Sequence, residues 1–141
     1  MLRRSIIESV RAFVLTYPDL PDGNVLIDYL GSSACEFTLE PIPCNTIYRQ
    51  YTDGGALKQY CFLLASRFFY TDDLRQCADN QKFFEDFAAW VTAQDRAGHL
   101  PALDEGRTAF SLDVLTHGYV ISEDAETARY QIQLRLVYEE E

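Results

Sequence analysis

Tyr130, Ile132, Leu134, Leu136 and Tyr138 alternate with Arg129, Gln131, Gln133 and Arg135, the period of two that gives a β-strand one apolar and one polar face. The run 57–69 is apolar on both sides. Tyr60, Phe62, Leu64 and Phe68 share one face, and Leu57, Cys61, Leu63 and Ala65 share the other with Gln59 and Arg67. Such a strand is expected at the centre of a sheet or under a partner. Thr52-Asp53-Gly54-Gly55 separates it from 47–51, and an Asp-Gly turn between two such runs predicts a β-hairpin. Val25, Ile27 and Tyr29, followed by Cys35, Phe37 and Leu39, predict two short strands joined by a tight loop at Gly31-Ser32-Ser33. Pro41 and Pro43 remove ladder donors, so this stretch either ends there or continues as an edge. Phe110, Leu112 and Val114, then Tyr119 and Ile121, predict a further strand region, interrupted by a bulge at Gly118.

Two segments change period. Leu2, Ile6, Ile7, Val10, Phe13, Val14 and Tyr17 recur at helical spacing, with Arg3, Arg4, Glu8 and Arg11 between them, which predicts an amphipathic helix ended by Pro18. Leu74, Cys77, Ala78, Phe84, Phe87, Ala88 and Val91, widened by Phe83 and Trp90, predict a longer one. Thr71 or Asp72 caps its start, Gly98 and Pro101 stop it, and Asp79-Asn80 marks a break. The acidic end, Glu139 to Glu141, reads as a solvated tail. The order helix, strands, long helix, closing strands predicts an α+β fold: a single domain over 1–141, with a mostly antiparallel sheet and both helices packed on one face.

Composition narrows the function. The 141 residues are 48% hydrophobic, with nine Tyr and nine Phe, enough core material to fold without metal or disulfide staples. Twelve Lys and Arg against 22 Asp and Glu leave a net charge of −10. That balance disfavours specific nucleic-acid binding and docking on an anionic membrane, both of which need cationic side chains. No apolar stretch approaches the roughly 20 residues of a membrane helix. Met1-Leu2-Arg3-Arg4 leads into the first helix with no signal-like apolar core, so a cytoplasmic chain is expected. Cys35, Cys44, Cys61 and Cys77 form no C-x-x-C pair and read as buried thiols in a reducing compartment.

Reactive constellations are sparse. His99 and His117 are the only histidines; the first suits the C-terminal end of the long helix and the second a strand or bulge. Asp72-Asp73 suits a helix start, and Gly54-Gly55 lacks the flanking pattern of a phosphate cradle. Tyr48, Arg49, Tyr51, Tyr60, Arg67 and Tyr70 interleave rings with cations, a mixture that dominates protein interface hot spots. This favours a structural, non-enzymatic protein with no cofactor or metal. A small enzyme or ligand-binding domain is the rival, its site between sheet and long helix around His117 or Cys61. A transient assembly chaperone is a third reading.

Tyr29-Leu30-Gly31, Phe37-Thr38-Leu39-Glu40-Pro41-Ile42-Pro43, Tyr51-Thr52-Asp53-Gly54-Gly55, Ser66-Arg67, Leu100 to Gly106 and Ala128 to Leu134, in this order and spacing, resemble the minor capsid or tail terminator proteins of tailed phages and prophages of Gram-positive bacteria. Cys44 and Cys61 depart from that family's pattern, and no role for them comes with it. The resemblance implies a virion protein, assembled in the host bacterial cytoplasm, that forms a ring, commonly six-fold, to cap the tail tube. Its implied partners are copies of itself, the tail tube protein and head-completion proteins. On this reading the 47–69 hairpin carries subunit contacts, with Arg49, Tyr51 and Arg67 as interface residues.

Overall fold

The structure, a computed structural model, describes residues 5–20, 25–27, 37–51, 56–69, 74–104, 106–123 and 127–140. In chain order these form α1 (Ile6–Val14), β1 (Val25–Ile27), β2 (Phe37–Ile42), β3 (Ile47–Gln50), β4 (Ala56–Phe69), α2 (Leu74–Ala97), β5 (Arg107–Val114), β6 (Tyr119–Glu123) and β7 (Thr127–Glu140). The fold is α+β, with one mixed, mostly antiparallel sheet of seven strands.

The two longest strands lie side by side at its centre. β4 and β7 pair antiparallel from Leu57 opposite Glu139 to Phe69 opposite Thr127, without a register shift. The run that is apolar on both faces is therefore central, as its pattern predicts. Along the outer side of β4 run first β2, then β3; along the outer side of β7 run β5, then β6. Each flank is in effect one strand with a gap, and hydrogen bonds bridge both gaps. At 43–46 the Gln59 N–H donates to Thr46 O (2.8 Å) and its side-chain amide to Asn45 O (2.6 Å), while Asn45 Oδ1 accepts the Ile47 N–H (3.1 Å). At 115–118 the Leu115 N–H donates to Gln133 O (2.8 Å), and Thr116 Oγ1 accepts the Gln133 N–H (3.1 Å). Polar backbone groups at the gaps thus keep partners that a plain loop would deny them.

β1 corrects one expectation. It pairs with β2 in parallel, Val25 opposite Phe37, and parallel neighbours cannot be joined by a tight hairpin turn. The proposed loop, with Tyr29 and Cys35, falls outside the described residues, as do the 52–55 turn and the Thr71 or Asp72 cap. The hairpin of β3 with β4 is present. β2 continues through Pro41, which faces Phe62 of β4 beyond the last residue that β1 pairs, so the proline sits where a missing donor costs no ladder bond on that side.

Even-numbered positions of β7 and their β4 partners build the core: Tyr130, Ile132, Leu134 and Leu136 with Phe62 and Leu64, joined by Phe37 and Leu39 of β2. Helix residues complete it. Phe84 of α2 stacks on Tyr130, and Phe13 and Tyr17 meet Phe83, Phe87 and Trp90 in a chain of ring contacts 5.0–6.1 Å apart. The Ser5 side chain caps α1 by accepting the Glu8 N–H (3.4 Å), and Arg11 Nε reaches Val25 O at 2.6 Å, fastening the helix to β1. α1 ends at Val14, before Pro18, and its last turn tightens through Thr16 and Tyr17 N–H bonds to Phe13 and Val14.

α2 ends as its sequence predicts. Gly98 takes φ of 77°, and the N–H groups of His99 and Gly98 bond to Gln94 O and Asp95 O, the paired closure that a left-handed glycine permits. No break occurs at Asp79-Asn80. Asn80 is buried and donates to the Tyr130 hydroxyl (3.4 Å), so its amide has a tertiary partner and does not compete for the helix backbone. Nor is Glu140 a solvated tail residue: β7 extends through it, and its carboxylate is ion-paired.

Gly118 serves a different end from the expected bulge. It lies in the gap between β5 and β6, where a Cβ would come within 2.4 Å of Phe84 Cβ and 2.6 Å of its Cγ. Only a bare backbone lets α2 seat this close. Gly118→Ala is expected to lower stability by about 1–3 kcal/mol, the usual penalty of overpacking, in urea denaturation. The penalty should shrink in a Phe84→Gly background, where both the clashing Cβ and the ring are absent, although Phe84→Gly alone costs more than the about 3–5 kcal/mol of a buried Phe→Ala change. Equal penalties in both backgrounds would contradict this account.

Candidate functional site

Odd-numbered positions of β7 face away from the core and are tied into a polar network. Arg129 pairs with Glu40 of β2 (3.0 Å) and reaches Gln131 Oε1 (3.4 Å). The amides of Gln131 and Gln133 both donate to the Tyr119 hydroxyl of β6, each at 2.8 Å. Arg135 grips Asp113 Oδ2 of β5 through Nε (3.2 Å) and Nη2 (3.0 Å) and lies over the Tyr48 ring of β3, 5.0 Å from its centre. One strand thereby links four others through side chains. Small residues beneath, Thr38 and Ala65, are fully buried, so this face consumes its own polarity in holding the sheet together.

Apart from Tyr48, the exposed apolar side chains lie outside this network. Among the described residues the large ones are Ile47, Tyr48 and Tyr51 on one flank and Phe110, Leu115, Val120 and Ile121 on the other. Three of them have a common origin. The register shifts between Ile47 and Arg49, between Ala109 and Ser111, and between Val120 and Ser122. The residue skipped in each case is Tyr48, Phe110 or Ile121. A bulge inserts one unpaired residue and re-aims its side chain, and here it turns out Phe110 at 59% exposure and Ile121 at 52%. β3 flanks β4 and β5–β6 flank β7, so the two apolar patches sit on opposite sides of the sheet.

Arg49 and Tyr51 are exposed on the β3 flank. Arg67 is not beside them. Arg49 faces Leu57, and the ten positions from 57 to 67 span roughly 33 Å of strand at about 3.3 Å per residue, which puts Arg67 near the opposite end of β4, facing Arg129. Periodicity showed neither the bulges nor the second flank.

His117 and Cys61 are also separated. His117 is exposed and lines an open groove of about 650 Å³ with Gln81, Phe84, Glu85 and Thr116, between α2 and the 115–118 gap. Cys61 faces Arg135 on the odd-numbered side of the sheet, not the side that α2 covers, which corrects its expected place between sheet and helix. Its thiol is pushed up to about 11, first by burial and then by a hydrogen bond with Cys44. Cys44 itself is exposed, against the expectation of a buried thiol, because it lies in the gap between β2 and β3. The side chain of Cys77 is outside the described set. No cluster of three or more His, Cys, Asp or Glu suited to a metal occurs among the described residues, and no helix among them is long and apolar enough to cross a membrane.

Among the described residues, one acidic group is strongly perturbed. Glu140 Oε2 accepts from Arg107 Nε (2.9 Å) and Oε1 from Lys58 Nζ (2.6 Å), which ties β5, β7 and β4 at one end. The hydrogen bonds from Arg107 and then Lys58 pull its carboxyl down to about 2.

No protein-family model matches the chain, and no curated protein matches it.

The depressed Glu140 carboxyl fixes a sign. A group more acidic in the folded than in the unfolded chain stabilises the fold above its unfolded value and ceases to do so as pH falls through the folded one. Urea midpoints for the native protein and Glu140→Gln should therefore differ most above pH 4.5 and converge as pH falls from 4.5 toward 2. A gap unchanged down to pH 2 would show that the ion pairs do not stabilise the sheet.

Proposed function

We propose that this chain is a structural protein of the phage tail terminator kind, a virion component that assembles head-to-tail into a ring, of six copies as in the resembling family, and caps a tail tube. The observation that carries the proposal is the placement of every described large exposed apolar side chain on two opposite flanks of one sheet. A cyclic ring needs unlike patches on each subunit, one to meet the other on the next copy, and the β3 and β5–β6 flanks supply such a pair. On this reading both helices lie against the same sheet face, leaving the flanks to neighbouring subunits. Arg49 and Tyr51 belong to the first patch.

Charge adds a further element. Copies carrying −10 each repel one another, so their contact is driven by apolar burial and strengthens as salt screens the repulsion. An acidic ring also offers passing DNA no counterion release and hence little adhesion. Tail tube and head-completion proteins are the partners of the two ring surfaces, the place of assembly is the host cytoplasm, and no catalytic step, cofactor or membrane enters the role.

Native mass spectrometry over a concentration series, alone and with tail tube protein, tests the proposal. Closed rings are expected, favoured by added salt. Tyr48→Asp and Phe110→Asp should each stop closure while leaving a folded monomer. Mixed together, the two variants should form a dimer and nothing larger, because only one intact pair of unlike flanks remains between them. A native chain that stays monomeric even with tube protein, or variants that close rings normally, would refute it.

A further inference from the structure

We infer that the groove of about 650 Å³ between α2 and the 115–118 gap seats the β3 flank of a neighbouring copy, with Arg49 of one chain paired to Glu85 of the next. The inference rests on the ring proposal and deepens it, naming the residues of the two unlike flanks that meet. Phe84, Ala88 and Leu115 give the groove its apolar wall, while Gln81, Glu85 and His117 bring polar groups to it. None of these three polar side chains has a partner within the chain. A concave apolar surface of this size with a few convergent polar groups is the usual form of a binding site. Leu115 also belongs to the exposed β5–β6 flank, so groove and patch are one surface.

Charge identifies the occupant. Glu85 is an exposed anion beside an apolar wall, and a chain of net charge −10 has few spare cations to offer it. Among the described residues, Lys58, Lys82, Arg107, Arg129 and Arg135 are ion-paired, Arg11 holds Val25 O and Arg67 is engaged. Arg49 and Arg96 remain. Arg96 lies in the last turn of α2, where the negative end of the helix dipole favours a cation without any partner. Arg49 has no such reason to be where it is. It is exposed next to Tyr48 and two positions from Tyr51, both of them exposed rings, and a guanidinium among tyrosines is the kind of group that anchors protein interfaces. Within one chain Arg49 and Glu85 cannot meet, because the β3 and β5–β6 flanks lie on opposite sides of the sheet. A second copy brings them together.

The pair supplies what apolar patches lack. Apolar burial is non-directional, so the two flanks alone would tolerate several offsets between copies. An ion pair seated against an apolar wall is satisfied at one offset and costs free energy at the others, which fixes register. It also favours closure over an open chain: every copy carries one Arg49 and one Glu85, so a closed ring pairs them all, whereas an open chain leaves one of each unpaired at its ends.

The test uses the full chain and two charge reversals, Arg49→Glu and Glu85→Arg, both at exposed positions and both expected to keep the native urea midpoint. In native mass spectrometry each variant alone should need about tenfold or more protein to close rings, because every contact then sets like charges together. Mixed in equal amounts, they should close rings near the native concentration with equal numbers of each variant, since alternating copies give one native pair and one swapped pair at successive contacts. The double variant should recover closure in the same way. Native rings accompanied by single variants that close normally, by a mixture that stays open, or by mixed rings of random composition would overturn this inference and leave the ring proposal standing. A native chain that never forms rings would overturn both.

Discussion

The unshifted antiparallel pairing of β4 with β7 is the constraint from which the rest of the architecture descends. Because side chains alternate in direction, one fixed register decides for both strands at once which residues enter the core and which form the opposite face. A slip of one position would send Tyr130, Ile132, Leu134 and Leu136 outward and drive Arg129, Gln131, Gln133 and Arg135 into Phe84 and Phe87. The register is held twice over. Apolar contacts specify it on the helix side, and the chain of polar bonds from Glu40 to Asp113 specifies it on the other.

On the ring proposal, this division of labour separates stability from association. The odd-numbered face is polar, yet Gln131 is buried and the arginines are held by carboxylates, so it has few uncommitted groups to offer a partner. Burying polar groups is tolerable only where hydrogen bonds satisfy them, and here they are satisfied within the chain. What remains exposed and apolar among the described residues is the pair of flanks. There, irregularity in the outer strands does what alternation forbids: each bulge releases an apolar side chain from the two-sided rule and delivers it to the rim.

Legibility in the sequence follows the range of the forces involved. β7, the β3–β4 hairpin, the end of α1 before Pro18 and the end of α2 at Gly98 are set by local period and local turn or cap chemistry, and were readable in runs such as 129–138 or in single residues such as Gly98. The Ser5 and Glu8 spacing is also a helix-start signal that sequence carries openly. The misreadings share a tertiary cause. The parallel partner of β1, the role of Gly118 beneath Phe84 and the rescue of Asn80 by Tyr130 each depend on a residue far away in the chain. The three bulges belong to the same class, since Tyr48, Phe110 and Ile121 look like ordinary strand residues until the opposing register is known.

The two long strands are neighbours in space but distant in sequence, with Leu57 opposite Glu139, and this has a temporal cost. A ribosome completes β4, apolar on both sides, well before it has made β7. For that whole interval the nascent chain presents an open strand edge of the kind that recruits wrong partners. Long-range closure of this sort is also slow. The molecule's most vulnerable moment is therefore its own synthesis, and its sheet becomes safe only when residues 127–140 slide into place beside the strand that has been waiting for them.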